Sequence, residues 1–125
     1  MIILIKNEDL LGGFAPLNFG FLKGVTVVIV VTAKFKSLPG MRDKVVEYAS
    51  SCVEATRKEQ GCVRYELFLS SEDDVTLQFI EEWTDLDALR VHLKAPHLVA
   101  FQEQRKNIVE EGRVLKLFEA KEVSL

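Results

Sequence analysis

The sequence predicts one α+β domain with the element order βαββαβ, the ferredoxin-like plan in which helices cover one face of a four-stranded antiparallel sheet. Three observations lead to this prediction. The chain has 125 residues, which is the size of a single domain. Strand-like and helix-like apolar patterns follow one another in that order from residue 25 onward. Gly, Pro and acidic turn residues separate the patterns.

The first strand and the first helix have clear patterns. Val25–Lys36 contains a β-branched run (VTVVIVVTA) that is typical of a buried strand, and Pro39-Gly40 ends it with a turn. Met41–Gln60 carries apolar residues at steps of three and four, which indicates one buried face of a helix. Gly61 stands where a left-handed residue is expected to end that helix.

The middle of the chain predicts a β-hairpin. Cys62–Leu69 and Val75–Trp83 both alternate apolar and polar side chains, and the polar residues 70–74 between them are typical of a turn. Because the strands of a hairpin lie side by side, Tyr65 and the tryptophan at the end of the second strand are expected on neighbouring strands.

The last part of the chain predicts two short helices and a strand. Thr84 or Asp85 caps the first helix, and Pro96 begins the second at a position where its missing N–H is harmless. We expect the second helix to end at Gly112 and Arg113–Ala120 to form the final strand.

Residues 1–24 are predicted to be an N-terminal extension, and residues 25–125 the folded domain. The extension is rich in glycine and phenylalanine, and two interpretations stay open: an arm packed on the domain, or a segment whose phenylalanine side chains bind a partner. Glycines and a proline interrupt its apolar stretch, and the start lacks a basic region. We therefore expect neither a membrane span nor a signal peptide.

The charge and the cysteines exclude several classes of protein. Lys and Arg number 16 and Asp and Glu 19, which gives a net charge of −3 and argues against general nucleic-acid binding. Cys52 and Cys62 form no disulfide framework and no CxxC metal motif. Two free thiols suit a reducing compartment, so we expect a cytoplasmic protein.

The predicted sheet is apolar on both sides. Both alternating sets of the first strand are rich in valine and isoleucine, and the final strand is similar, with Leu115 and Leu117 on one side and Val114 and Phe118 on the other. Leaving such side chains in water forfeits roughly 1.5–3 kcal/mol each. We expect a homodimer in which two sheets pair and enclose a dry chamber. The alternative is that the extension folds over this face.

Familiar catalytic motifs are missing from the sequence. It contains no glycine-rich nucleotide loop, no HExxH and no GxSxG. His92 and His97 lie five residues apart with Pro96 between them, which does not fit a metal pair on one helix. No third ligand is obvious, so no metal site is predicted.

A cluster of unusual side chains near the ends of the elements forms the candidate site. Tyr65, Trp83 and His92 together make an apolar pocket with hydrogen-bonding tips, which suits a flat aromatic ligand. Glu82 is a further candidate for contacting that ligand. For the two aromatic residues and the histidine, the alternative is a structural role in the core. For Glu82 it is a salt bridge with Arg64 across the hairpin.

These residues also fit the pattern of a known family. The stretches EATRKEQGCVRYELF and FIEEWTDLDALRVHLKAPHLVAF resemble the antibiotic biosynthesis monooxygenase (ABM) domain family. Its members are small dimeric α+β barrels and include cofactor-free quinol monooxygenases. The matching positions span about residues 27–120 and are Pro39-Gly40, Glu59, Gly61-Cys62, Tyr65, Glu81, Trp83, Ala88-Leu89, His92, Pro96-His97 and Phe101.

The resemblance implies oxidation of a small phenolic or quinol substrate by O₂ without a metal, flavin or other cofactor. A base removes a phenolic proton, and the electron-rich anion reduces O₂ inside a dry pocket. By resemblance, His92 transfers the proton and Trp83 packs on the substrate ring. Tyr65 and His97 are then candidates for the pocket wall.

Other members of the fold imply other roles for the same pocket. Haem-degrading relatives use an Asn–Trp–His set, but the segment TVVIVVTAKFK has no Asn. Another relative isomerises a phosphorylated sugar derivative, and Lys34, Lys36 and Arg64 are candidate phosphate ligands for that role. A non-catalytic ligand-binding or dimerisation module is the third possibility.

Overall fold

The computed structural model describes the backbone of residues 2–6 and all atoms of residues 26–125. The rest of the predicted extension, and with it the proposed arm or partner segment, lies outside the described residues. The elements in chain order are β1 (Ile2–Lys6), β2 (Val27–Lys36), α1 (Arg42–Thr56), β3 (Cys62–Leu69), β4 (Thr76–Trp83), α2 (Leu86–His92), α3 (Pro96–Arg105) and β5 (Val114–Glu122).

The sheet confirms the ferredoxin-like prediction. Its strand order is β1-β5-β2-β4-β3, and all of its strand pairs are antiparallel. The four strands from β5 to β3 are those predicted from the sequence. β1 adds a fifth strand at the edge, where Ile2 pairs with Glu122 and Lys6 with Phe118.

The register of the central strands decides which side chains face the helices. Ile29 lies opposite Trp83, and Val31 lies opposite Glu81. Because side chains alternate between the two faces of a sheet, these residues share one face. That face packs on the helices and holds the core, which includes Val31, Phe35, Val45, Cys52, Tyr65, Leu77, Phe79, Trp83, Leu89 and Phe101.

Helix α1 ends four residues earlier than predicted. The prediction extended it to Gln60, but the helix stops at Thr56, the last residue of its apolar stripe, and the following bonds from Lys58 N to Ala55 O and from Glu59 N to Thr56 O make a tight turn. Shorter i→i+3 bonds of this kind are common at helix ends. Gly61, with φ of +86°, then redirects the chain into β3.

Helices α2 and α3 meet at a sharp break. The Asp85 side chain caps α2 by accepting a hydrogen bond from Ala88 N at 2.8 Å. Ala95 is extended, and Pro96 occupies the first turn of α3. α3 ends at Arg105, well before the predicted Gly112. None of the described helices has the length and apolar character needed to cross a membrane.

Candidate active site

A cavity of about 150 Å³ lies between the helix-facing side of the sheet and helices α2 and α3. Most of its wall is apolar and comes from Val, Ala, Phe and Leu side chains. Its polar lining consists of Tyr65, Glu81, His92, Gln102, Arg105 and Arg113. The cavity wall therefore combines an apolar surface with a few groups that can hold a proton or a charge, which is typical of a small-molecule site.

The position of this cavity differs from the expected chamber. Pairing of two sheets was expected to enclose it, but a single chain forms the cavity on the face that its own helices cover. The opposite face of the sheet carries Val28, Val30, Ile80 and Phe118, as the register shows. The cavity and the apolar outer face therefore lie on opposite sides of the sheet.

His92 is a buried titratable group in the wall of this cavity. It is the last residue of α2 and is 1% exposed. Its Nδ1 lies 2.9 Å from Oε1 of Glu59, and since a carboxylate only accepts, Nδ1–H is the donor. Burial lowers the pKa of His92, and the Glu59 carboxylate opposes that shift. Near neutral pH the imidazole is therefore uncharged, and its Nε2 is available as a base.

Glu59 connects His92 to the protein surface. The same Oε1 also accepts a hydrogen bond from Nε2 of His97, at 2.5 Å, while Oε2 is buried and has no hydrogen-bond partner in the described part of the chain. Glu59 and His97 both line a second depression, here called the outer groove, formed by parts of segments 59–61, 84–88 and 91–97. The three side chains form a hydrogen-bonded relay from the cavity to the outer groove.

The relay brings together groups that also occur as metal ligands. The ligand atoms of Glu59, His92 and His97 lie within 4.8 Å of one another. The sequence offered no third ligand beside the two histidines, because Glu59 is distant along the chain. Its separations of 2.5 and 2.9 Å from the two nitrogens are hydrogen-bond lengths. They are shorter than the roughly 3.4 Å between ligands of a tetrahedral ion with bonds near 2.1 Å. In this structure the three side chains are joined by hydrogen bonds.

Glu81 is a second buried proton-transfer group in the cavity. It is 6% exposed, and its Oε2 accepts a hydrogen bond from the indole Nε1 of Trp83 at 2.9 Å. Burial raises the pKa of Glu81 to about 7, although the indole and the nearby Arg113 both act to lower it. A carboxyl group with a pKa near neutrality can both give and take a proton at physiological pH.

Aromatic packing holds the polar groups of the cavity in place. The rings of Trp83 and His92 are 4.7 Å apart, and the Tyr65 ring lies 5.2 Å from that of His92 in an edge-on contact. Burial raises the pKa of Tyr65 far above its ordinary value, so its hydroxyl stays protonated and serves as a hydrogen-bond donor.

The structure separates the predicted site residues into two groups. Tyr65 and His92 line the cavity. Trp83, expected on the substrate ring, instead lies fully buried behind His92 and supports it. His97, expected in the pocket wall, instead lines the outer groove. Glu82 lies on the opposite face of the sheet, where its Oε1 is 3.9 Å from the Arg64 guanidinium, as the salt-bridge alternative expected.

The candidate phosphate ligands do not meet at the cavity. Lys34 and Lys36 are exposed, and Arg64 pairs with Glu66 and Glu82 on the opposite face. The cationic groups that do line the cavity, Arg105 and Arg113, were not identified in the sequence and carry no pattern that would single them out.

The carboxylates of the site had weak signals in the sequence. Glu81 belongs by parity to the apolar set of β4 that includes Phe79 and Trp83, so a charged residue in that set was a detectable anomaly. Glu59 was visible only as a position of the family pattern, because its partners are more than thirty residues away.

Comparisons with known proteins agree with this architecture. The family model described as antibiotic biosynthesis monooxygenase matches residues 28–104. "Probable quinol monooxygenase YgiN" of Escherichia coli is 29% identical over 97 residues, which cover 70% of this chain and 93% of that protein. A crystal structure described as antibiotic biosynthesis monooxygenase has a TM-score of 0.67 at 29% identity and covers 71% of this chain and 94% of that chain.

A further solved structure extends the match over more of the chain. Protein SO0527 of Shewanella oneidensis has a TM-score of 0.71 at 25% identity, and the match covers 79% of this chain and 97% of that chain. Because the family model matches more than half of the sequence and the solved structures share its fold, this chain belongs to the antibiotic biosynthesis monooxygenase family.

Proposed function

We propose that this protein is a cofactor-independent monooxygenase that oxidises a small phenol or quinol with O₂. The observation that carries the proposal is the buried His92, uncharged and held by Glu59, at the wall of an apolar cavity. The family and the name of the Escherichia coli relative support the same reaction class.

The proposed reaction begins with proton transfer to His92. Nε2 takes the phenolic proton, and the imidazolium that forms is stabilised by the Glu59 carboxylate on its other nitrogen. The anion of a quinol, or of a phenol with electron-donating substituents, is electron-rich enough to reduce O₂ directly. For a phenol with a free para carbon, one oxygen atom of O₂ ends on the ring, the other leaves as water, and the substrate supplies four electrons as it becomes a quinone.

The cavity supports this chemistry by excluding water and managing protons. Apolar walls keep water away from the phenolate and from reduced oxygen species. Glu81, with its pKa of about 7, is positioned to return a proton when water leaves. Tyr65 lines the cavity, and its protonated hydroxyl is hydrogen-bonded with the Cys52 thiol. A volume near 150 Å³ is enough for one aromatic ring, since engineered apolar cavities of that size bind benzene.

A homodimer and a cytoplasmic location are part of the proposal. Among the residues that the register places on the outer face of the sheet, Phe68 and Val114 are 41% and 54% exposed. A second copy of the chain packed on this face would remove such side chains from water. Sedimentation equilibrium should then give twice the chain mass of 14.2 kDa, and a single-chain mass would contradict the dimer.

Oxygen consumption by chelator-treated protein tests the proposed reaction. With a naphthoquinol or a polyphenol as the substrate, the wild-type protein should exceed the spontaneous oxidation rate. Replacement His92→Gln should lower kcat about 100-fold, within the range attributed to general bases. His97→Gln removes only the outer end of the relay and should lose less, and Arg90→Gln, an exposed arginine on α2, is the control that should keep the wild-type rate.

Folding must be checked in parallel, because His92 is buried. Circular dichroism and the melting temperature of the variants establish whether each is folded. If folded wild-type protein fails to accelerate oxidation of any quinol but binds quinones or sugar phosphates, the proposal is wrong and the site is an isomerase or a ligand-binding site.

A further inference from the structure

Two guanidinium groups, those of Arg105 and Arg113, line the cavity and are close enough to repel each other. Arg105 is held between two rings, with its guanidinium carbon 4.6 Å from the centre of the Phe35 ring and 5.2 Å from that of Phe101. Such stacking fixes the plane of the guanidinium and leaves its N–H groups directed along the ring edges. Arg113, an exposed residue directly before β5, lines the same cavity.

These two cations lack a counter-ion in the described part of the chain. Within residues 26–125 neither guanidinium has a carboxylate oxygen within 4.0 Å, and Nε of Arg105 is buried without a hydrogen-bond partner. Glu81 is the one carboxylate in the described cavity wall, and its Oε2 is already bound by Trp83. Two guanidinium groups without an ion pair leave the cavity with positive charge, which a bound anion would balance.

We propose that Arg105 and Arg113 form a subsite for a carboxylate carried by the aromatic substrate. The substrate class is then a hydroxylated or dihydroxylated benzoate rather than a neutral phenol. The planar fork of a guanidinium matches a carboxylate in two parallel hydrogen bonds, and the charge pairing is strong in an apolar cavity. This inference rests on the proposed function for the reactivity of the ring, but the binding of the carboxylate does not depend on turnover.

The electrostatic interactions among the charged groups of the cavity support the binding of a carboxylate. Burial is the largest influence that lowers the pKa of Arg105, and the nearby Arg113 lowers it further. One bound anion would relieve both effects. Arg113 also lowers the pKa of Glu81. Neutralising Arg113 with a substrate carboxylate would therefore raise the pKa of Glu81, which favours the protonated form that returns a proton to the product.

Anaerobic calorimetry with three matched ligands tests the subsite. Hydroquinone, 2,5-dihydroxybenzoate and 2,5-dihydroxybenzamide share one ring and two hydroxyls but differ in the charged group. We expect the benzoate to bind at least ten-fold more tightly than the amide, and the advantage to shrink with added salt. Arg113→Gln should remove this preference and Arg113→Lys should restore part of it. Arg90→Gln, an exposed arginine on α2, should leave the preference unchanged.

The outcomes separate this inference from the proposed function. Equal affinity for benzoate and amide, or equal losses for all three ligands in Arg113→Gln, would overturn the subsite even if the protein oxidises quinols. A carboxylate preference that depends on Arg113, in a protein without oxidase activity, would support the subsite and reject the proposed reaction. Binding of inorganic phosphate with the same Arg113 dependence, without binding of the benzoate, would also overturn it.

Discussion

His92 and His97 contact the same oxygen of Glu59, but His92 lines the cavity and His97 lines the outer groove. Only 2% of the His92 side chain is exposed, against 25% for His97. His92 packs against the Trp83 and Tyr65 rings. His97 is the second residue of α3 and lines the outer groove. The identical chemical group therefore meets an apolar interior on one side and solvent on the other.

The difference indicates that burial, not residue type or spacing, distinguishes the proposed roles of the two histidines. Desolvation keeps His92 uncharged and ready to accept a proton, since burial lowers its pKa. His97 contacts solvent, because part of its side chain is exposed. Because both histidines are hydrogen-bonded to the Glu59 carboxylate, we propose that a proton taken up by His92 in the cavity is compensated by release of a proton from His97 at the surface.

Removing the charge of Glu59 is the strongest way to break this asymmetry. Glu59→Gln keeps the size of the side chain but no longer stabilises an imidazolium, and its amide can donate to Nδ1 and favour the wrong tautomer of His92. We expect kcat to fall on the order of 100-fold with little change in KM, because Glu59 does not touch the substrate. Oxygen consumption under substrate saturation measures this effect.

Nitrogen-15 spectroscopy of the imidazoles distinguishes positioning from a merely structural effect. In the wild-type protein His92 should carry its proton on Nδ1, and the variant should show a mixture of tautomers or the Nε2–H form. Glu54→Gln, on the exposed side of α1, is the control and should change neither the tautomer nor the rate. A fully active Glu59→Gln variant with unchanged His92 signals would contradict the relay.

The pH dependence of stability sharpens the contrast between buried and exposed carboxylates. The pKa of Glu81 rises from 4.5 to about 7 on folding, so the folded state binds more protons between these values. Unfolding free energy should therefore fall as pH rises from about 4.5 to 7, by roughly 3 kcal/mol from this group. The lowered pKa of His92 acts in the opposite sense, adding stability that is lost as pH falls below 6.5.

Urea titrations of wild-type and Glu81→Gln proteins isolate the Glu81 contribution. The difference between their unfolding free energies, plotted against pH from 4 to 8, cancels the effect of His92. Glu82→Gln is the matched control, since it removes the neighbouring carboxyl on the opposite face of the sheet. A flat difference for Glu81→Gln, or an equal slope in the control, would show that Glu81 is not an unusual carboxyl.

Most of the fold could be predicted because local patterns and turns specify it. Alternation in β3 and β4, the Pro39-Gly40 turn and the helix-starting Pro96 each leave a strong local signal. β2 was ambiguous in one respect: both of its alternating sets are apolar, so pattern alone did not tell which face meets the helices. The predicted end of α1 was too late because Gly61 set it, whereas a turn of polar residues separates Thr56 from that glycine.

The site was harder to predict because its contacts are distant in sequence. The pairing of Glu59 with residues 33 and 38 positions away depends on how α1, α2 and α3 pack. The position of the cavity depends on the volume left between sheet and helices, which no single element encodes. Arg105 and Arg113 look like ordinary surface arginines in the sequence, and only the structure shows both of them at one cavity.

The relay also depends on a close approach of the α1 end to α2, and glycine variants test it with a smaller expected effect. A Cβ at Gly61 would lie 2.5 Å from Ala88 Cβ and 2.8 Å from Thr84 Oγ1, whereas a Cβ at Gly40 would meet nothing within 4 Å. Both glycines have positive φ, so alanine costs each roughly 1 kcal/mol of backbone strain.

The overpacking at Gly61 adds about 2 kcal/mol, so Gly61→Ala should destabilise the protein more than Gly40→Ala by that amount. Chemical denaturation measures both losses. Because the displaced turn carries Glu59, we also expect the Gly61 variant to weaken the Glu59–His92 bond and shift the His92 nitrogen signals, while Gly40→Ala leaves them unchanged. Equal losses of stability at the two glycines would mean that the turn at Gly61 moves to accommodate the methyl group without strain. The close approach of α1 and α2 would then not be what fixes the position of Glu59.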